Sequence, residues 1–104
     1  MMTKLYQYQL ALDSWDGFVE LQRRIDALYS KHISYEISFV RSSENPSKIT
    51  EIHVYPDSTS LKKAESLHAL EPELSNLFDV FVEMLDPTNK QIEETTGETL
   101  RLRD

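Results

Sequence analysis

Two hydrophobic periods alternate along the chain, and their order leaves few folds open. From Lys4 to Leu12, Tyr6, Tyr8, Leu10 and Leu12 share one face and Leu5, Gln7, Gln9 and Ala11 the other, the two-residue repeat of a strand whose first set points inward. The period then lengthens. Trp15, Phe18, Leu21, Ile25 and Leu28 recur every three or four residues, which predicts a helix from Ser14 to Ser30 with Trp15 partly protected against the sheet. Asp13 or Ser14 is placed to cap it, and Asp16 suits the electropositive first turn.

Period two returns over residues 33–41, where Ile33, Tyr35, Ile37 and Phe39 oppose Ser34, Glu36, Ser38 and Val40, and again from Ile49 to Tyr55. The polar, proline-containing segment 42–47 between them predicts an antiparallel hairpin. In its second strand, Glu51, His53 and Tyr55 lie opposite Ile52 and Val54, so the polar trio is expected on the solvent side. Pro56-Asp57-Ser58 ends the strand and caps a helix. The helical stretch Ser60 to Leu85 breaks at Glu71-Pro72, because proline lacks the amide that a helix interior needs. Its second half carries a broad apolar face of Leu74, Leu77, Phe78, Phe81, Val82 and Leu85. Ile92 and Leu100/Leu102, around Thr96-Gly97, predict a terminal hairpin or one edge strand.

The order strand–helix–strand–strand–helix–strand predicts an α+β fold, a ferredoxin-like antiparallel sheet with helices packed on one face. With 104 residues and 39% hydrophobic content, one compact domain over 1–104 is expected, its C-terminal hairpin without a fixed boundary.

Charge narrows the partners. The formal net charge is -7, which works against a phosphate backbone and makes nucleic acid an unfavourable partner. The halves differ: residues 1–52 carry -1 and residues 53–104 carry -6. Glu71, Glu73, Asp79, Glu83, Asp86, Glu93 and Glu94 fall in a stretch where Lys90 is the single base, so they form the expected binding surface for a basic region of a protein partner. No apolar run is long enough for a membrane span, and the N-terminus lacks a signal-peptide core, so no membrane partner and a cytoplasmic location are expected.

Motifs for chemistry are sparse. There is no cysteine, which removes thiol nucleophiles, thiolate metal sites and disulfides. His32, His53 and His68 do not match metal-ligand spacing, and no EF-hand, phosphate-cradling or dinucleotide-binding pattern occurs. Neither metal nor cofactor is expected. Ser58, Ser60 and Ser66 have no histidine–acid arrangement to activate them. His32 suits the carbonyl end of the first helix, and His68 suits local ion pairs. Tyr6, Tyr8, Tyr35 and Phe39 are aromatics that fit a small core better than base stacking. His53 with Tyr55 is the candidate ligand-binding pair, because an imidazole beside Glu51 on one strand face can manage a proton.

These observations predict a non-enzymatic, acidic protein-interaction module with no catalytic residues, an inhibitor or immunity/anti-defence protein masking a basic surface. The alternative is a small sheet-based ligand sensor or enzyme using the His53/Tyr55 face. A homo-oligomeric structural protein is a third class.

Overall fold

The structure, a computed structural model, describes residues 1–103; the final residue of the expected domain, Asp104, lies outside the described residues. Strand β1 (Met2–Gln9) leads into helix α1 (Trp15–Tyr29), and β2 (Glu36–Arg41) and β3 (Lys48–Tyr55) form the hairpin. Helix α2 (Ser58–Glu65), a short 3-10 turn (Leu67–Ala69) and helix α3 (Glu73–Glu83) precede the edge strand β4 (Glu93–Glu98). The sheet order is β2-β3-β1-β4, antiparallel throughout, with helices on one face. The ferredoxin-like α+β expectation is met.

Local chemistry sets the boundaries. Asp57 caps α2, its carboxylate accepting the Ser60 amide at 2.7 Å. The break at Glu71-Pro72 falls as proline requires, with α3 starting at Glu73. β1 stops short of the predicted Leu12, which is 84% exposed. Asp13 at φ 70° turns the chain there through the left-handed region that aspartate tolerates. Thr96 and Gly97 do not turn; both lie inside β4, opposite Lys4 and Thr3.

Three apolar clusters hold the layers together, one of them Ile33, Tyr55, Leu61 and Ala64 between β3 and α2. Tyr8, Leu10, Phe18, Ile49 and Leu85 join the centre of the sheet to α1 and the end of α3. Leu21, Ile25 and Leu28 of α1 meet Leu67, Leu74 and Leu77. Trp15 is half-buried, stacked on Phe18 at 5.7 Å with the Arg41 guanidinium over its ring.

One expectation about facing is reversed. Register pairs Tyr8 with Ile49, Tyr6 with Glu51, Lys4 with His53 and Met2 with Tyr55, so the polar trio of β3 shares the helix-facing side with the buried Tyr8. His53 is 8% exposed and Tyr55 2%. Ile52 and Val54 take the outer face and stay half-exposed. Period two groups residues by face; the cross-strand partners decide which face is covered.

Candidate functional site

Between the helices and the sheet a cavity of about 260 Å³ remains. Its floor is Tyr6 and Tyr8 of β1 with Glu51 and His53 of β3, and Gln22, Ile25 and Tyr29 of α1 form one wall. Phe78, Phe81 and Val82 of α3 close the opposite side, with Ile92 ahead of β4. Phe78, Val82 and Ile92 are 38–42% exposed although apolar, which puts the mouth between α3 and β4. A second lobe of about 300 Å³ shares Tyr6, Tyr29, His53 and Phe78 and adds Lys4, Tyr55, Glu65 and His68. The first lobe is an aromatic box; the second is polar.

All five tyrosines of the chain, Tyr6, Tyr8, Tyr29, Tyr35 and Tyr55, line one lobe or the other. They surround a hydrogen-bonded line of buried polar groups. The Tyr8 hydroxyl donates to Glu51 Oε1 at 2.7 Å, Glu51 Oε2 lies 2.5 Å from His53 Nε2, and His53 Nδ1 lies 2.9 Å from the Tyr55 hydroxyl. A carboxylate only accepts, so the proton between Glu51 and His53 belongs to Nε2. In the neutral ring Nδ1 then offers a lone pair, which the Tyr55 O–H fills. Tyr35 stacks on Tyr55 at 5.7 Å and anchors its own hydroxyl on Asp26 of α1 at 2.8 Å.

Burial holds these phenols in their neutral form. It raises Tyr55, helped by the neighbouring Tyr6 and Tyr29, and raises Tyr8, where the Glu51 charge adds to it. Tyr35 is raised by burial and by its bond to Asp26, Tyr6 by burial against the opposing pull of Lys4, and Tyr29 is pushed up to about 12, mainly by burial. Burial disfavours the Lys4 ammonium, yet its bonds to Glu94 and Glu65 outweigh that and raise Lys4 above the ordinary lysine value. Among the described residues no three His, Asp or Glu side chains gather into a metal-binding group, and no helix is long and apolar enough to cross a membrane.

The predicted pair His53 and Tyr55 is brought together inside the molecule rather than on a solvent face. The predicted acids are dispersed. Glu71 is bonded to His32 at 2.9 Å with Lys31 at 4.0 Å, Glu73 pairs with Arg24, Glu94 with Lys4, and Asp86 accepts the Thr88 amide. Asp79 and Glu83 stay exposed on α3 and Glu93 on β4. Much of the charge that made this stretch look like a docking surface is therefore spent within the chain. The sequence reading missed Tyr8, Lys4 and Asp26 as members of the site. Tyr8 and Lys4 share a period-two face with Tyr6, which was the available signal; Asp26 had none.

No protein-family model and no curated protein matches the sequence. Solved structures do match the fold. A putative antibiotic biosynthesis monooxygenase from Deinococcus radiodurans superposes with a TM-score of 0.75 at 8% identity, over 100% of this chain and 97% of that one. SnoaB, a cofactor-independent oxygenase from Streptomyces nogalater, gives 0.72 at 13%, covering 99% and 97%. A NipSnap family protein of unknown function from Agrobacterium tumefaciens gives 0.72 at 12%, covering 99% and 91%.

These findings overturn the expected acidic protein-interaction module, and with it the inhibitor, immunity and anti-defence readings and the basic protein partner. Two of these neighbours are described as a monooxygenase and an oxygenase, so the preference for a non-enzymatic role falls as well. The physical reason lies in Glu71, Glu73, Asp86 and Glu94, whose bonds are made inside the chain, while an open cavity lies beside His53.

Proposed function

We propose that the chain is a small-molecule enzyme that binds a flat, largely apolar molecule in the aromatic lobe and removes a proton from it through Tyr55 and His53. The observation that carries this is the Tyr8–Glu51–His53–Tyr55 line in the wall of an open cavity. Both nitrogens of His53 are engaged, so the base works through its partner. Tyr55 Oη takes the ligand's proton while its own passes to Nδ1, and Glu51 stabilises the imidazolium that results. The raised Tyr55 suits a relay, because it remains a phenol before and after the step.

The likeness to a cofactor-independent oxygenase supports oxygenation as the reaction that follows. Deprotonation of an activated CH2 group leaves an electron-rich carbanion. Conversion of that group with one O2 into a carbonyl and one water balances atoms and electrons, the substrate supplying the reducing electrons. Cytoplasmic residence is carried forward as part of this reading.

The test is a panel of aromatic compounds with an acidic C–H, followed by deuterium exchange at that carbon and by dioxygen uptake. Native protein is expected to accelerate exchange, and His53→Ala to lose about 10²–10⁴-fold of that rate while keeping its fold. Equal exchange by native protein and a folded His53→Ala variant would remove His53 from the chemistry.

A further inference from the structure

We infer that the ligand of this cavity carries an acidic oxygen group, a carboxylate, phenol or enol, and that Lys4 binds it in place of Glu65. The inference rests on the small-molecule reading above and adds the ligand's charge. Lys4 and His53 are direct cross-strand partners, so ammonium and imidazole stand side by side on the covered face of the sheet. Both line the polar lobe.

The exposures around Lys4 are unequal. Its side chain is 8% exposed, whereas its two carboxylates, Glu65 at 3.1 Å and Glu94 at 2.8 Å, are 49% and 50% exposed. The ammonium cannot follow a departing partner into water; a glutamate can leave at little cost because it is already half-hydrated. Glu65 is the one free to go. It is the last residue of α2 and lines the lobe, whereas Glu94 sits on β4 beside Tyr6 in the sheet register and does not line it.

Exchange of Glu65 for a ligand oxyanion leaves Lys4 with two anionic acceptors, its state before binding. A ligand amine at the same place would meet the ammonium, and an apolar end would face a charge without satisfying it. Glu51 does not compete for Lys4, since both its oxygens are taken by Tyr8 and His53. The ligand is thus oriented with its apolar rings in the first lobe and its acidic oxygen beside the Tyr55–His53 relay.

The experiment compares 2-naphthoate with 2-naphthamide, near-isosteres that differ in charge, by calorimetric titration of the native protein, Glu65→Gln and Lys4→Met. Methionine keeps an apolar stem in the buried site, and native-like circular dichroism confirms each fold. Native protein is expected to bind the carboxylate at least tenfold more tightly than the amide. Glu65→Gln should tighten naphthoate several-fold and leave naphthamide unchanged, and Lys4→Met should erase the preference. Equal binding of the two probes by native protein, or a preference that survives Lys4→Met, overturns the role of Lys4 while leaving the cavity a binding site. Binding of neither probe overturns it together with the small-molecule reading.

Discussion

The acidic stretch from Glu71 to Glu94 and the covered face of the sheet carry their charge in opposite ways. On α3, Asp79 and Glu83 are exposed and unbonded to other side chains in the described residues, so water and counterions screen them and their energetic effect is small. Under the helices, Lys4, Glu51 and His53 are few, but each is buried or nearly so; Lys4 and Glu51 bind residues distant in sequence, and His53 is held between Glu51 and Tyr55. A count of charges points to the first region; the energy of burying them points to the second. Chemistry is favoured where polar groups are held away from water, because burial strengthens their hydrogen bonds and penalises their charged forms.

The largest difference between the regions is expected at alkaline pH. An unfolded tyrosine titrates near pH 10, while the folded values of all five are raised. Above pH 10 the unfolded chain therefore binds fewer protons than the folded one, and stability falls as pH rises. Lys4, also raised, acts in the same direction above its ordinary value. Tyrosinate absorbance should appear late and together with loss of circular dichroism, rather than as five independent titrations near pH 10. At the acid end Asp57 and Asp86 are lowered by the amides they cap, so their contribution is present at neutral pH and is lost as pH falls below the usual aspartate value. Asp57 is exposed and Asp86 half-exposed, and that acid transition should be the weaker one.

Substitution sharpens the contrast. Glu51→Ala leaves the Tyr8 hydroxyl and His53 Nε2 without their acceptor in a buried site, and is expected to cost about 3 kcal/mol. Asp79→Asn and Glu83→Gln should stay within about 0.5 kcal/mol. Urea unfolding would read this as a lower midpoint for Glu51→Ala at an unchanged slope. A smaller step, about 1 kcal/mol, is expected for Tyr35→Phe, which loses the bond to Asp26 but keeps the ring stacked on Tyr55.

Most of the architecture was readable from periodicity, because Tyr6/Tyr8/Leu10 and Phe18/Leu21/Ile25/Leu28 report a strand and a helix by spacing alone. The site was half-readable. Glu51, His53 and Tyr55 were grouped on one face, yet the apolar Ile52 and Val54 drew the inward assignment to the wrong side. What decides it is the pairing of β3 with β1, residues 39 to 53 positions apart in sequence, and no local pattern encodes that register. Lys4 shows the same gap: its partners Glu65 and Glu94 come from α2 and β4, elements that meet only after the chain has closed. The acidic stretch misled because charge density can be read along a sequence, whereas intramolecular pairing cannot.

On the proposed function, ligand binds in the cavity and not on the acidic surface. Backbone and side-chain NMR shifts followed during titration with 2-naphthoate test it most directly. Changes are expected on Tyr6, Tyr8, Tyr29, His53 and Phe81, with Asp79, Glu83 and Glu93 unmoved. Shifts confined to residues 71–94 on the outer surface, with the His53 ring and its tyrosines unchanged, would contradict it.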